Sequence, residues 1–167
     1  MSKEDISLVR PDAEFASRGE TVLLVDDHPL ILDGVSAMLR RYRYTVHTAT
    51  DAIQATALWH RHRSELRAVI SDFHLGKGRT GISLLREMSV AQPSLVLILT
   101  SASVTRDMMT ELERTSLVCC LAKPYHYLQL LKLLRSGLDA GPTRRLDATR
   151  RIADPTRPDP PIDRMER

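Results

Sequence analysis

Charged and hydroxyl side chains follow four short apolar runs of this chain, each at the point where the run ends. They comprise an acidic pair, a third aspartate, two hydroxyls and a lysine: Asp26 and Asp27, Asp72, Thr100 and Ser101, and Lys123. In open sheets of parallel strands, ligands bind in the crevice outside the carboxyl ends of the strands. If the runs are such strands, we expect these side chains to gather at one edge of the sheet.

The chemistry of this set points to a phosphoryl group and a divalent cation. Three neighbouring carboxylates cannot all ionise comfortably without a cation, and Mg²⁺ takes oxygen ligands while bridging to phosphate oxygens. A lysine and a hydroxyl at the same rim suit the negative oxygens of a phosphoryl group. An aspartate in such a pocket can act as a nucleophile and form an acyl phosphate. The residues therefore predict a Mg²⁺-assisted aspartate that accepts a phosphoryl group.

Five apolar runs of strand length alternate with five segments of helical periodicity. The predicted strands cover Thr21–Val25, Thr45–Ala49, 68–70, 95–99 and Val118–Ala122. This alternation predicts a parallel sheet with helices on both faces. Because crossovers are right-handed and strands buried on both sides are continuously apolar, the expected fold is a doubly wound α/β sheet.

Apolar residues at helical spacing predict which side of each helix faces the core. Pro29 suits the first turn of the first helix, and Asp51 with Gln54 has the pattern of a capping box at the second. The predicted inner positions, helix by helix, are Ile31, Val35 and Met38; Ile53, Ala57 and Leu58; Ile82, Leu85 and Met88; Met108, Met109 and Leu112; and Leu128, Leu131, Leu134 and Leu138.

Length and composition indicate one globular domain with polar ends. The chain has 167 residues, of which 43% are hydrophobic and 27% charged, as in globular domains of this size. Residues 1–20 are predicted to be a flexible leader and residues 21–139 the folded domain. Residues 140–167 are rich in proline and arginine without apolar periodicity, and are predicted to be a disordered tail.

Charge and hydropathy argue against nucleic-acid and membrane partners. The net charge is +3, and residues 141–167 carry seven arginines against five acidic residues, so the basic excess lies largely in an interrupted tail and forms no dense stripe for a phosphate backbone. No apolar run approaches the roughly 20 residues of a membrane span. The start of the chain has no secretory signal pattern, and Cys119 and Cys120 are adjacent. A cytoplasmic location is therefore expected.

The order of these motifs resembles the receiver domain of two-component response regulators, of the CheY-like type, over roughly residues 20–139. The family has an acidic pair after strand one, a phosphoacceptor aspartate after strand three, Thr or Ser after strand four and Lys-Pro after strand five. Asp26-Asp27, Asp72, Thr100 and Lys123-Pro124 match this order. The resemblance implies a sheet of strand order 2-1-3-4-5.

The resemblance also implies a role for each residue. Asp72 would be phosphorylated, and Mg²⁺ would be bound by Asp26, Asp27, Asp72 and the backbone carbonyl of His74. Thr100 would bond a phosphoryl oxygen and Lys123 would pair with it, with a cis peptide bond before Pro124. The chain would then be a stand-alone receiver whose catalysis is confined to its own phosphorylation and dephosphorylation.

The implied partners are a sensor histidine kinase or histidine phosphotransfer protein as donor, and a downstream protein that contacts residues 104–138. Homodimer formation is left open. The sequence departs from the family pattern at two places. Cys120 occupies the place of the usual aromatic switch residue, and the loop after Asp72 is one residue longer than the commonest form and lacks its proline.

Three other functions remain as alternatives. The absence of the aromatic at Cys120 favours an adaptor that keeps the fold without depending on phosphorylation. A phosphohydrolase of the haloacid dehalogenase type would need an acid two residues after its nucleophile, where His74 stands instead. A DNA-binding regulator is disfavoured because no pair of helices joined by a short turn follows Leu138.

Overall fold

The computed structural model describes residues 12–76, 78–114 and 118–140. Its centre is a five-stranded sheet in which every pairing is parallel, with the order β2-β1-β3-β4-β5. The strands are β1 (Thr21–Val25), β2 (Thr45–Ala49), β3 (Leu66–Asp72), β4 (Val96–Ser101) and β5 (Val118–Ala122). The doubly wound fold and its strand order are therefore confirmed.

Two strands differ from their predicted bounds in a way that bears on the polar residues at their ends. β3 extends from Leu66 to Asp72, and β4 continues to Ser101. Asp72 pairs with Thr100 in the parallel register. Asp72 and Thr100 thus belong to the sheet ladder itself, and strand pairing fixes their backbones next to each other.

Helices cover both faces of the sheet and enclose two apolar layers. They are α1 (Pro29–Arg41), α2 (Ala52–His62), α3 (Gly81–Ala91), α4 (Arg106–Arg114) and α5 (Tyr127–Asp139). Side chains of α2, α3 and α4 pack on one face, and those of α1 and α5 on the other. Strands such as β1 and β4 are buried along their whole length, because a sheet covered on both sides leaves no solvent face.

The predicted inner face of α1 lies one residue away from its fully buried side, and the predicted inner face of α2 is largely wrong. In α1 the buried positions are Leu32, Ser36 and Leu39; Ile31 is partly buried, and Val35 and Met38 are partly buried but pack against the same apolar layer. Both stripes recur at helical spacing along the same segment. Helix α1 is rotated so that Leu32 and Leu39 reach the core, and this orientation also buries Ser36.

In α2 the buried side is Ala52, Ala55 and Trp59, none of which was among the predicted positions. Ile53 is 83% exposed, and Ala57 is exposed with it, while Leu58 is partly buried. Two alanines let the helix approach the sheet closely, and Trp59 fills the space at the end of the helix. Helix α2 is thus oriented by the packing of Ala52, Ala55 and Trp59 on the sheet, although this orientation leaves Ile53 exposed.

The inner positions of the remaining helices agree with the prediction. Ile82, Leu85 and Met88 are buried in α3, as are Met108 and Leu112 in α4. The side chain of Met109 lies outside the described part of the chain. In α5, Leu131 and Leu134 are fully buried, and Leu128 and Leu138 pack partly against the same layer.

Residues 12–20 differ from the loose leader expected over residues 1–20. A short 3-10 helix at Ala13–Phe15 buries Phe15 against the layer of α1 and α5. The hydroxyl of Tyr44 donates to the carbonyl of Phe15 at 3.0 Å, and Arg135 of α5 donates to Glu20 at 2.8 Å. One aromatic anchor and one buried ion pair thus fix a segment of mixed polarity. Residues 1–11 and 141–167 lie outside the described residues.

Burial by itself would raise the pKa of the Glu20 carboxyl group, but its hydrogen bonds lower it further than burial raises it. The donors are the guanidinium of Arg135, the hydroxyl of Ser17 and the backbone N–H of Arg18, and the resulting pKa is about 2. Glu20 is therefore a charged anchor between the start of the chain and α5. Within the described ranges, no helix is long and apolar enough to span a membrane.

Candidate functional site

The polar residues predicted to converge do so at the carboxyl ends of β1, β3, β4 and β5. The ammonium Nζ of Lys123 lies 2.9 Å from Oδ2 of Asp26 and 2.6 Å from Oδ1 of Asp72. These residues come from three different strand ends and are separated by 97 and 51 positions along the chain. A single cation therefore joins two of the three carboxylates, and we call this cluster, with Asp27 and Thr100, the acidic pocket.

The ion pairs of the acidic pocket are largely shielded from solvent. The side chains of Asp26, Asp72 and Lys123 are 3%, 11% and 19% exposed. Burial alone would lower the pKa of Lys123, but its hydrogen bonds to Asp72 and Asp26 outweigh burial and raise it. The lysine is therefore charged at neutral pH and can neutralise anionic oxygens.

Backbone N–H groups fix the orientation of both buried carboxylates. The N–H of His28 donates to Oδ1 of Asp26 at 2.9 Å, and that of His74 donates to Oδ2 of Asp72 at 2.7 Å. In each case the donor lies two residues after the aspartate, as in an Asx turn. Each carboxylate thus has one oxygen on the backbone and the other on Lys123.

Asp27 and His28 form the outer side of the acidic pocket. Nδ1 of His28 lies 2.9 Å from Oδ1 of Asp27 and 3.5 Å from Oδ1 of Asp26. The ligand atoms of Asp26, Asp27 and His28 all lie within 4.8 Å of one another. The Asp27 side chain is 30% exposed, so its carboxylate can bind an ion arriving from solvent. Mg²⁺ is usually bound in proteins through one or two carboxylates, so Asp26 and Asp27 suit it.

Strand geometry selects Thr100 over Ser101 as the hydroxyl beside the phosphoacceptor candidate. Thr100 pairs with Asp72 in the ladder, and neighbours in register on parallel strands point to the same face. Ser101 points to the opposite face, and its hydroxyl donates to the carbonyl of Ser103 at 2.8 Å. The peptide bond between Lys123 and Pro124 is cis, as expected. The N–H of Lys123 donates to the carbonyl of Ser101 at 2.7 Å.

Gly81, which no sequence pattern singled out as a site residue, is a structural requirement of the pocket. A Cβ atom on Gly81 would lie 1.9 Å from the carbonyl oxygen of Asp72 and 2.7 Å from Oγ of Ser71. The N–H of Gly81 also donates to the carbonyl of Phe73 at 2.8 Å. The first residue of α3 therefore packs directly on the backbone that carries Asp72. Its only sequence signal was a glycine at the start of an amphipathic helix.

Cys120 is buried in the apolar layer under α4, opposite Leu99 in the sheet register. Burial and the neighbouring Cys119 raise the pKa of its thiol to about 11, so it is a neutral apolar side chain. Tyr125 lies two residues after Lys123 and is partly buried. Burial raises the pKa of its phenol, and the charges of Lys123, Asp26 and Asp72 also act on it. Tyr125 was not among the predicted site residues.

Comparisons with known proteins agree with the geometry. Residues 22–135 match the response regulator receiver domain. The chain is 33% identical over 91 residues to the two-component response regulator ORR22 of Oryza sativa subsp. indica, and 28% identical over 123 residues to the sensor kinase CckA of Brucella abortus (strain 2308). These matches cover 54% and 74% of this chain but only 13% of the length of each relative.

A solved structure shows the same architecture. The signal receiver domain of an HD domain-containing protein from Pseudomonas fluorescens Pf-5 superposes with a TM-score of 0.67 at 31% identity, covering 73% of this chain and 96% of that one. The family match spans more than half of the chain and includes every residue of the acidic pocket. The chain therefore belongs to the family of response regulator receiver domains of two-component systems.

Proposed function

We propose that this chain accepts a phosphoryl group on Asp72 and signals through protein contacts that change when it does so. The observation that carries this proposal is the bridge formed by Lys123 between Asp26 and Asp72, with Nζ 2.6 Å from an Asp72 oxygen. A cation at that distance is also within reach of a phosphoryl oxygen attached to the same carboxylate. The remaining pocket residues supply the metal ligands and the hydroxyl that such a group needs.

In the proposed transfer, a carboxylate oxygen of Asp72 attacks the phosphorus of a phosphohistidine. A P–O bond forms, the P–N bond breaks, and its electron pair leaves with the imidazole nitrogen of the donor. The N–H of His74 holds one Asp72 oxygen at 2.7 Å and so orients the nucleophile. In the second step of the cycle, water attacks phosphorus and the Asp72 carboxylate leaves, which releases inorganic phosphate. Catalysis by this chain is limited to these two steps.

Asp26, Asp27 and Asp72 are the residues proposed to bind Mg²⁺, with the backbone carbonyl of His74 as a further ligand. Lys123 pairs with Asp26 and Asp72, and Asp27 adds a third carboxylate at the outer side of the pocket, so a divalent cation would offset the excess negative charge. When bound there, Mg²⁺ supplies positive charge to the phosphoryl oxygens during transfer. Lys123 and Thr100 contribute the remaining positive charge and a hydrogen-bond donor.

A sensor histidine kinase or a histidine phosphotransfer protein is the proposed phosphoryl donor. Membership of the receiver family supports this, as does the similarity to a response regulator and to a sensor kinase. The surface formed by residues 104–138 is proposed to contact the downstream protein. Both cysteines are free thiols, which is in keeping with the proposed reducing, cytoplasmic location.

The test uses acetyl phosphate as a small phosphoryl donor, with intact-mass measurement of the chain. We expect one phosphoryl group to be added in the presence of Mg²⁺ and none in EDTA. Asp72→Asn should abolish the addition, whereas the matched variant Asp51→Asn should not, because Asn caps a helix as well as Asp. Borohydride trapping followed by peptide mapping should place the acyl phosphate on Asp72. Addition that persists in Asp72→Asn would refute the assignment.

A phosphorylation-independent adaptor is a second candidate, favoured by the buried Cys120 in place of the usual aromatic. The two functions differ in what happens to residues 104–138 when the pocket is filled. If the chain is a switch, amide resonances of residues 104–138 should shift on addition of beryllofluoride and Mg²⁺. In an adaptor they would remain unchanged although beryllofluoride binds, as judged from the resonances of Asp72 and Lys123.

A further inference from the structure

A second cluster of ligating side chains lies on the far edge of the sheet, away from the acidic pocket. It contains His47 on the edge strand β2, His62 at the last position of α2, and Glu65 just before β3. Their ligand atoms all lie within 4.8 Å of one another. Since His62 and Glu65 precede β3 and Asp72 ends it, this cluster is nearer the opposite end of the sheet.

The fold brings these three residues together in two steps. His47 and Ala49 lie two residues apart on β2 and so share the face covered by α2, where Ala49 is part of the apolar layer. The N–H of Glu65 donates to the carbonyl of His62 at 2.9 Å, and this turn places the carboxylate Oε2 3.6 Å from Nδ1 of His62. Neither contact depends on the acidic pocket.

Each of the two imidazole rings has one buried nitrogen that makes no hydrogen bond within the described part of the chain. The rings stack with centroids 3.9 Å apart and planes 22° from parallel. Nε2 of His47 and Nδ1 of His62 are both buried and have no hydrogen-bond partner among the described residues. Buried polar atoms are normally paired with protein, water or an ion. Two unpaired nitrogen donors beside a carboxylate form the donor set of a transition-metal site.

We propose that His47, His62 and Glu65 bind a divalent transition-metal ion of the zinc type. Two imidazole nitrogens and one carboxylate oxygen are ligands that zinc favours over the oxygen-only sets preferred by Mg²⁺. Ligands about 2.1 Å from one ion in a tetrahedron are roughly 3.4 Å apart. Because the rings are stacked, one imidazole must turn out of the stack before both ring nitrogens can point at one ion, and water would complete the coordination.

The ionisation of His47 is consistent with this role. Burial lowers the pKa of its imidazole, and the neighbouring His62 and Arg40 lower it further, while the charge of Glu65 acts in the opposite direction. A histidine must be neutral to ligate a metal. Binding would connect the edge strand β2 to the turn between α2 and β3, so we expect the metal to stabilise this edge of the sheet.

The test is a Zn²⁺ titration of the full chain by calorimetry, with Mg²⁺ kept in excess. We expect one equivalent to bind and the ring resonances of His47 and His62, but not His60, to shift. Loss of a residue that only orients a ligand costs about 10- to 100-fold in metal affinity, so His62→Gln and Glu65→Gln should each weaken binding by at least that much. His60→Gln is the matched control, because His60 is exposed on the same helix and should change nothing.

The group formed by Asp26, Asp27 and His28 is the competing site for zinc. The variant His28→Gln tests it and should leave the affinity unchanged. Glu65→Gln keeps the experiment interpretable, because the Glu65 side chain is 61% exposed and its replacement does not disturb the core. Loss of binding in His28→Gln, or full affinity in both His62→Gln and Glu65→Gln, would overturn the proposal.

Discussion

The contact between Gly81 and the backbone of Asp72 yields a quantitative prediction. In Gly81→Ala, the new methyl carbon would lie 1.9 Å from the Asp72 carbonyl oxygen, whereas carbon and oxygen atoms ordinarily approach to about 3.3 Å. Either α3 or the end of β3 must therefore move by about 1.4 Å. Because the clash is with backbone atoms, no side-chain rotation can relieve it.

Two losses are expected from this displacement. Overpacking of a rigid site costs about 3 kcal/mol in the free energy of unfolding, and a 1 Å misplacement of a reacting group costs about 100-fold in rate. Urea unfolding, followed by the fluorescence of the buried and single Trp59, measures the first loss. The rate of phosphorylation by acetyl phosphate measures the second.

Gly34→Ala is the matched control for this experiment. Gly34 lies within α1, and a Cβ atom there would have no neighbour within 4 Å. Its replacement should stabilise the helix by about 0.5–1 kcal/mol and leave the phosphorylation rate unchanged. If Gly81→Ala proved as stable and as reactive as the parent chain, the close packing of α3 on Asp72 would be refuted.

Three further predictions concern single charged groups. Lys123→Met should raise the affinity for Mg²⁺ by about tenfold, because removal of the ammonium leaves Asp26 and Asp72 without their counter-charge, while phosphorylation slows; an unchanged Mg²⁺ affinity would contradict this. The carboxyl of Glu20 has its pKa lowered from 4.5 to about 2, so its stabilisation is present above pH 4.5 and lost as the pH falls towards 2. Acid titration of unfolding should show a loss of about 1–3 kcal/mol that Glu20→Gln lacks. Asp51→Ala removes an N-cap that accepts two backbone N–H groups and should cost about 1 kcal/mol in urea unfolding, with Asp51→Asn close to the parent.

The acidic pocket was largely predictable from the order of residues along the chain. In a parallel sheet every strand ends at the same edge, so any polar residue that follows an apolar run must reach that edge. Asp26, Asp72 and Lys123 needed no knowledge of side-chain packing to be placed together. The fold class followed from the same alternation of strands and helices.

Details that depend on how a helix is rotated against the sheet were not predictable. In α1, the predicted stripe of Ile31, Val35 and Met38 and the buried stripe of Leu32, Ser36 and Leu39 have the same spacing. Periodicity alone therefore cannot choose between them. The choice depends on the space between α1 and the sheet, which only the packed structure defines.

Which strand ends carry charge can be read from the order of residues, because that information is local and the sheet topology makes it converge. Contacts between segments whose own patterns are unremarkable arise only when the chain is packed. Examples are Gly81 against Asp72, the Tyr44 hydroxyl on the Phe15 carbonyl, and His47 of β2 stacked on His62 of α2. Such contacts follow from the distance between packed elements, and no periodic pattern within one element encodes that distance.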